Sequence, residues 1–124
     1  MKIVRFVSKR REILYGVYDE RRPGVARPIE GEPWNAANGG DREEQIERLL
    51  APVSPVNILA LGINYRKHGE ETALSVPAEP ILFLKATSSV TGHDHPIILP
   101  AAGPDQVDYE AELAVVIGKT AKNI

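Results

Sequence analysis

Cysteine is absent from the 124 residues, which excludes disulfides, thiolate nucleophiles and zinc–sulfur sites. Aromatic residues are scarce at 6%, so aliphatic side chains must supply most of any core, at about 25 cal/mol per Å² of buried apolar surface. Basic residues are not in excess. Fifteen Lys and Arg stand against seventeen Asp and Glu, leaving no surplus to neutralise a phosphate backbone, and nucleic acid is not an expected partner. Long hydrophobic runs are missing too: the opening MKIVRFVSKRRE is broken by Arg5, far short of a signal-peptide core or a membrane span. A soluble, cytoplasmic protein with no membrane partner is the expectation.

What is present suits folding. Hydrophobic residues make up 43% of the chain, enough for an ordinary core in a domain of modest length. Charge is unevenly distributed: residues 1–30 hold eight basic and four acidic side chains, and the remainder seven and thirteen. An Arg-rich N-terminal portion reads either as a solvated surface or as a docking face for acidic partners.

Along the chain, Lys2 to Val7 and Ile13 to Tyr18 are rich in β-branched and aromatic types with polar residues between them, the pattern of a β-hairpin. Pro23-Gly24 marks a turn, Val25 to Glu30 a short strand, and Gly31 to Pro33 and Asn38 to Asp41 two breaks. Asp41 reads as the cap of a helix running to Leu50, with Glu43 and Glu44 in its first turn and Ile46, Leu49 and Leu50 on one face. Residues 1–52 therefore read as a small β-rich accessory module with a connector, and Trp34 as a packing plug in its loop. Residues 53–124 follow as a second region.

In that second region, Val56 to Ile63 and Ile81 to Leu84 read as buried strands, with a helical turn at Arg66 to Thr72 between them. Thr91 to Pro96 is a turn, Ile97 to Leu99 is extended, and Val107 to Ile117 reads as a long strand ended by Gly118.

Two groups of residues carry chemistry. Inside the expected strand Asp108-Tyr109-Glu110-Ala111-Glu112-Leu113-Ala114-Val115-Val116-Ile117-Gly118, Glu110 and Glu112 project to the same face, because alternate strand residues share a side. Neighbouring carboxylates are compensated by a proton or by a hard divalent ion such as Mg²⁺ or Mn²⁺; on an exposed face they are merely solvated. In Gly62-Ile63-Asn64-Tyr65-Arg66-Lys67-His68-Gly69-Glu70-Glu71, a helical turn puts His68 and Glu71 on one face. A carboxylate there orients and charge-stabilises an imidazole acting as general base, although a surface His and Glu are also commonly just solvated. Lys85, after Phe83-Leu84, reads as a partner for a substrate carboxylate or as a surface residue. His93 and His95 lie in a Pro-ended turn and are assigned to solvent.

The succession of a strand, Asn-Tyr-x-x-His-x-x-Glu, a strand with Phe-Leu-Lys, and Asp-Tyr-Glu-Ala-Glu-Leu-Ala-Val-Val-Ile-Gly resembles the fumarylacetoacetate hydrolase family, over roughly residues 52–119. The first fifty residues are similar to the small N-terminal region of many bacterial members. The resemblance implies a mainly β (α+β) fold, an FAH-like mixed β-roll or sandwich that is incomplete at its C-terminus and preceded by the small β-rich module. It implies a Mg²⁺ (or Mn²⁺) cofactor with Glu110 and Glu112 as metal ligands, and His68 and Glu71 as the catalytic pair that activates water over bound substrate. A third carboxylate ligand of the family, an Asp well downstream, has no counterpart in the sequence. The implied reaction is metal-dependent hydrolysis of a C–C bond in a β-diketo or 2-oxo acid of the acylpyruvate or fumarylacetoacetate type, by a homodimer. Isomerisation or decarboxylation by the same chemistry is the alternative, as is a non-catalytic truncated fragment that pairs with another chain. An uncovered apolar edge over Ala114 to Ile117 is expected to promote association.

Overall fold

The computed structural model describes residues 1–35 and 39–124. The chain is mainly β, with six strands, one short α-helix and three 3₁₀ turns among the described residues. It divides into two compact units, Met1–Pro52 with Thr91–Ile124, and Val53–Val90.

The first unit is built on a closed four-stranded barrel of β1 (Lys2–Ser8), β2 (Ile13–Tyr18), β3 (Val25–Pro28) and β4 (Glu44–Leu49). β1 and β2 form the expected antiparallel hairpin, in a register that runs from Lys2 opposite Tyr18 to Val7 opposite Ile13. Its turn is closed from inside: the buried Ser8 hydroxyl accepts hydrogen bonds from the Arg10 and Glu12 N–H groups at 3.2 and 3.3 Å. Arg11 takes the left-handed conformation there, at φ 68°. β3 pairs with β2 as Gly16 opposite Pro28 and Tyr18 opposite Ala26, and the Ile29 N–H continues the ladder to the Tyr15 carbonyl. Proline is tolerated here because it ends the strand.

The helix expected over Asp41 to Leu50 is instead strand β4. It pairs with β1 through Phe6 opposite Leu49 and with β3 through Val25 opposite Gln45, which closes the barrel. A register shift between Val7 and Ser8 accommodates the closure. A short helix carries an unfavourable nucleation term and few internal hydrogen bonds. The strand gains bonds on both sides, including Ile46 N–H to the Gly24 carbonyl and Leu50 N–H to the Arg5 carbonyl, each at 2.8 Å. Asp41 is an exposed bend residue rather than a cap, and Asn38 of the expected break lies outside the described residues.

Phe6, Val7, Ala26 and Ile29 form the barrel core, with Phe6 wholly buried. Gly16 is needed beside it: a Cβ there would lie 3.0 Å from Ala26 Cβ, from the Arg27 carbonyl oxygen and from Phe6 Cε1. Charged residues gird the outside. Glu44 is buried, its Oε1 3.0 Å from Arg42 Nη2 and 3.9 Å from Arg10 Nη1, without the angles of a hydrogen bond. Arg22 holds Glu43 in a two-pronged pair.

In the same unit, residues 107–117 form no strand and are exposed throughout, contrary to the long strand expected there. An alternating or apolar pattern gives a strand only where a neighbouring strand completes its ladder. Trp34, half-exposed, packs against Gly118, where a Cβ would stand 2.8 Å from the indole Cδ1.

The second unit is a two-stranded antiparallel sheet, β5 (Ile58–Gly62) and β6 (Ile81–Lys85), with α1 (Arg66–Glu71) in the connection. Its register runs from Ile58 opposite Lys85 to Gly62 opposite Ile81. Both strands fall where expected, but neither is buried: Leu59 is 68% and Leu84 71% exposed. Two strands can satisfy each other's hydrogen bonds without being able to cover each other's faces.

Candidate functional site

α1 begins where β5 ends. Gly62 closes the strand, Ile63 turns the chain with a left-handed backbone at φ 53°, and Tyr65 enters the helix in an extended conformation. The six-residue helix carries both His68 and Glu71, so the turn expected from the sequence is formed and places these two side chains one helical turn apart on one face. Both are exposed, which leaves the imidazole and the carboxylate open to a ligand.

The end of the helix is fastened more firmly than its length suggests. Leu74 N–H bonds to the Gly69 carbonyl at 2.9 Å and Ala73 N–H to the Glu70 carbonyl at 3.3 Å, the paired arrangement of a Schellman cap. The left-handed residue that such a cap needs is Ala73, at φ 55°, where glycine is usual. Thr72 adds a clamp on the residue of interest: its hydroxyl and its N–H both donate to the His68 carbonyl, at 2.8 and 3.1 Å. Thr72 was not singled out from the sequence, although a hydroxyl residue four positions after a His in a helical turn is a legible signal for such a bond. Nothing in the residue types announces the left-handed Ile63 or Ala73.

Glu110 and Glu112 lie in the other compact unit, in the exposed stretch 107–117, which forms no regular element. The strand geometry that was to place them side by side is not formed. As donors they suit a hard divalent cation: Mg²⁺ takes carboxylate oxygens, commonly only one or two from the protein, and fills its octahedron with water or substrate oxygens. Among the described residues, no three His, Asp or Glu side chains gather as a metal cluster.

Lys85 ends β6 and is exposed, with its ammonium 5.8 Å from the Phe83 ring centroid. A cation at that distance is held loosely over the ring face. His93 and His95 are exposed, as expected, and His93 Nε2 lies 3.3 Å from Asp94 Oδ2. A cavity of about 440 Å³ on the barrel is lined by Asp19, Arg22, Arg27, Asp41 and Glu43 with Val17, Val25 and Ala26. It contains none of the residues singled out for chemistry. Among the described residues, no helix is long and apolar enough to cross a membrane.

Comparison with known proteins bears on the same segments. The sequence profile described as "Rv2993c-like, N-terminal" matches residues 1–60, the barrel and its exit. A protein of Archaeoglobus fulgidus named only as uncharacterized is 51% identical over 77 residues, which are 62% of this chain and 30% of that one. The fumarylacetoacetate hydrolase domain-containing protein 2 homolog of Dictyostelium discoideum is 44% identical over 77 residues, 62% of this chain and 25% of its own. The mitochondrial oxaloacetate tautomerase fahd2 of Xenopus laevis is 49% identical over 77 residues, 61% of this chain and 24% of its own. The chain thus spans a third or less of the length of these curated relatives. No solved structure matches it. The profile "Fumarylacetoacetate (FAA) hydrolase C-terminal" matches residues 57–124, a stretch that holds His68, Glu71, Glu110 and Glu112 together, and the chain belongs to the fumarylacetoacetate hydrolase family.

Proposed function

We propose that the chain carries part of the catalytic apparatus of a divalent-metal-dependent enzyme acting on small β-diketo or 2-oxo acids. The observation that carries this reading is the exposed turn, fastened at its C-terminal end, that presents His68 and Glu71, within the stretch matched by the family profile. His68 is the general base: its imidazole is open to a water molecule or to an acidic C–H, and Glu71 on the same helix face orients it and stabilises the charge it acquires. Thr72 holds the His68 backbone still while the ring works. Glu110 and Glu112 would hold Mg²⁺ or Mn²⁺. A bound divalent ion would supply Lewis-acid stabilisation of the negative charge developing on the oxygens of a 2-oxo acid. Lys85, at the open end of β6, pairs with a distal carboxylate of the substrate. The enzyme works in the cytoplasm as a homodimer.

Two outcomes share this chemistry. If His68 takes the proton from the carbon next to the oxo group and the proton is returned at the oxygen, the result is keto–enol tautomerisation. If His68 takes a proton from water instead, hydroxide adds to the neighbouring carbonyl, the C–C bond breaks to leave a carboxylate and an enolate, and the imidazolium returns its proton to the enolate carbon. Relatives named as oxaloacetate tautomerases, including those of Xenopus laevis and Homo sapiens, favour tautomerisation as the second reading.

The test is to supply the chain with Mg²⁺ and either an acylpyruvate or oxaloacetate, following enol absorbance and pyruvate release together. Pyruvate release from the acylpyruvate identifies the hydrolase. Accelerated enol–keto exchange without carbon–carbon cleavage identifies the tautomerase. In either case His68→Ala is expected to lower the rate by about 10²–10⁴-fold, the usual worth of a positioned base. Turnover that is unchanged in His68→Ala, or no turnover of either substrate by folded chain, would contradict the proposal.

A further inference from the structure

We infer that Ile63 and Gly69 form a joint that sets the position of the His68-bearing turn; the inference rests on the reading of His68 and Glu71 as the acid–base pair. Ile63 is β-branched and left-handed at φ 53°, a conformation in which such a side chain is a genuine outlier. Strain of this kind persists only where surrounding structure enforces it, and it gathers at functional positions. The neighbours of Ile63 lie across the joint. Gly69 is the buried residue of α1, and a Cβ built on it would stand 3.4 Å from Ile63 Cγ2, 3.4 Å from Val76 Cγ2 and 3.0 Å from the Leu74 carbonyl oxygen. The Ile63 methyl branch therefore abuts the helix at its one bare backbone position, directly after His68.

Three choices in this segment run against helix stability: a left-handed β-branched residue before the helix, a glycine within it and a left-handed alanine after it. A sequence selected only for a stable turn would avoid all three. Ile63 and Gly69 share one consequence, which is the angle and distance at which the turn leaves β5. Ile63 and Gly69 are thus positioning residues, acting on the reaction through His68. A displacement of about 1 Å at such a group costs on the order of 10²-fold in rate.

The test compares the wild-type chain with Ile63→Val, Ile63→Gly and Gly69→Ala. Valine keeps the β-branch. Glycine adopts the left-handed backbone freely and removes the methyl seat, and alanine at position 69 presses its Cβ against the Leu74 carbonyl oxygen and the Ile63 methyl while raising helix propensity. By NMR, wild type and Ile63→Val are expected to show a strong intraresidue amide–Hα contact at residue 63 and methyl contacts to the Gly69 Hα. In Ile63→Gly and Gly69→Ala the His68 ring signals shift while the amides of β5 and β6 stay in place. With Mg²⁺ and a 2-oxo acid that wild type turns over, these two variants lose at least about tenfold in kcat with KM within about twofold, and Ile63→Val stays near wild type. If Gly69→Ala merely protects the helix amides and leaves the His68 signals and kcat unchanged, or if residue 63 lacks the left-handed contact in wild type, the joint is overturned. A wild-type chain without turnover overturns the acid–base reading instead, and the joint then stands or falls on the contacts and the His68 ring signals.

Discussion

At the scale of single residues, the barrel depends on Gly16 because three neighbours converge on the space a side chain would need. The Gly16→Ala variant is expected to lose about 1–3 kcal/mol of stability, the usual cost of overpacking a tight core, read as an earlier midpoint in urea. An unchanged midpoint would mean that β2 and β3 can move apart freely. Residue types were the most legible level of this protein. His68, Glu71, Glu110 and Glu112 stand out as a His with a Glu three positions on and two Glu with one residue between them, because residue type is intrinsic to the side chains. Ile63 and Ala73 were not legible. Their left-handed backbones contradict their own preferences and are imposed by packing and capping that only the folded turn reveals. Ala73 makes this measurable: Ala73→Gly removes a conformational penalty of about 1 kcal/mol, partly offset by glycine's greater freedom when unfolded. Slower hydrogen exchange at the Thr72 and Leu74 amides is the expected sign of the strengthened cap.

At the scale of elements, the hairpin, β3, β5, β6 and α1 all fall where local pattern puts them. In each of these, propensity and tertiary pairing agree. β4 is the counter-example. Glu43-Glu44-Gln45-Ile46-Glu47-Arg48-Leu49 satisfies the rules for a capped helix, yet its backbone is worth more in closing the barrel, where it bonds to neighbours on both sides. Ile46→Pro separates the two descriptions. It deletes the N–H donated to the Gly24 carbonyl at 2.8 Å and should lower barrel stability by at least about 1 kcal/mol, with loss of β-type circular dichroism rather than of helical signal. The 107–117 stretch fails in the opposite direction. Its apolar half, Leu113 to Ile117, has strand composition, but composition cannot supply the neighbouring strand that a ladder requires.

At the scale of the whole molecule, apolar side chains are distributed unusually. The barrel has a closed core, whereas Leu59, Leu61, Ile81, Leu82, Phe83 and Leu84 of the second unit are all exposed. Exposed apolar surface on that scale promotes association. Sedimentation is expected to show concentration-dependent self-association that Leu84→Lys weakens; a chain that stays monomeric at high concentration would contradict this. The same distribution explains why burial was the least legible property: the strands of the second unit carry core-type residues, and a sequence pattern reports the partner a strand is suited to without supplying it. Family membership survived all of this because it rests on side-chain chemistry in a fixed order across residues 57–124.

Calorimetric titration of the chain with Mg²⁺, alone and with oxalate as a chelating mimic of a 2-oxo acid enolate, probes the pairing of that chemistry with a metal. Glu110 and Glu112 are two hard oxygen donors on one exposed segment, and a ligand that itself chelates the ion supplies further oxygens. Oxalate should therefore tighten Mg²⁺ binding, and the Glu110→Ala, Glu112→Ala double variant should abolish it. A folded chain that binds no Mg²⁺ with oxalate present, or a double variant that binds it as well as wild type, would contradict the assignment of these two glutamates.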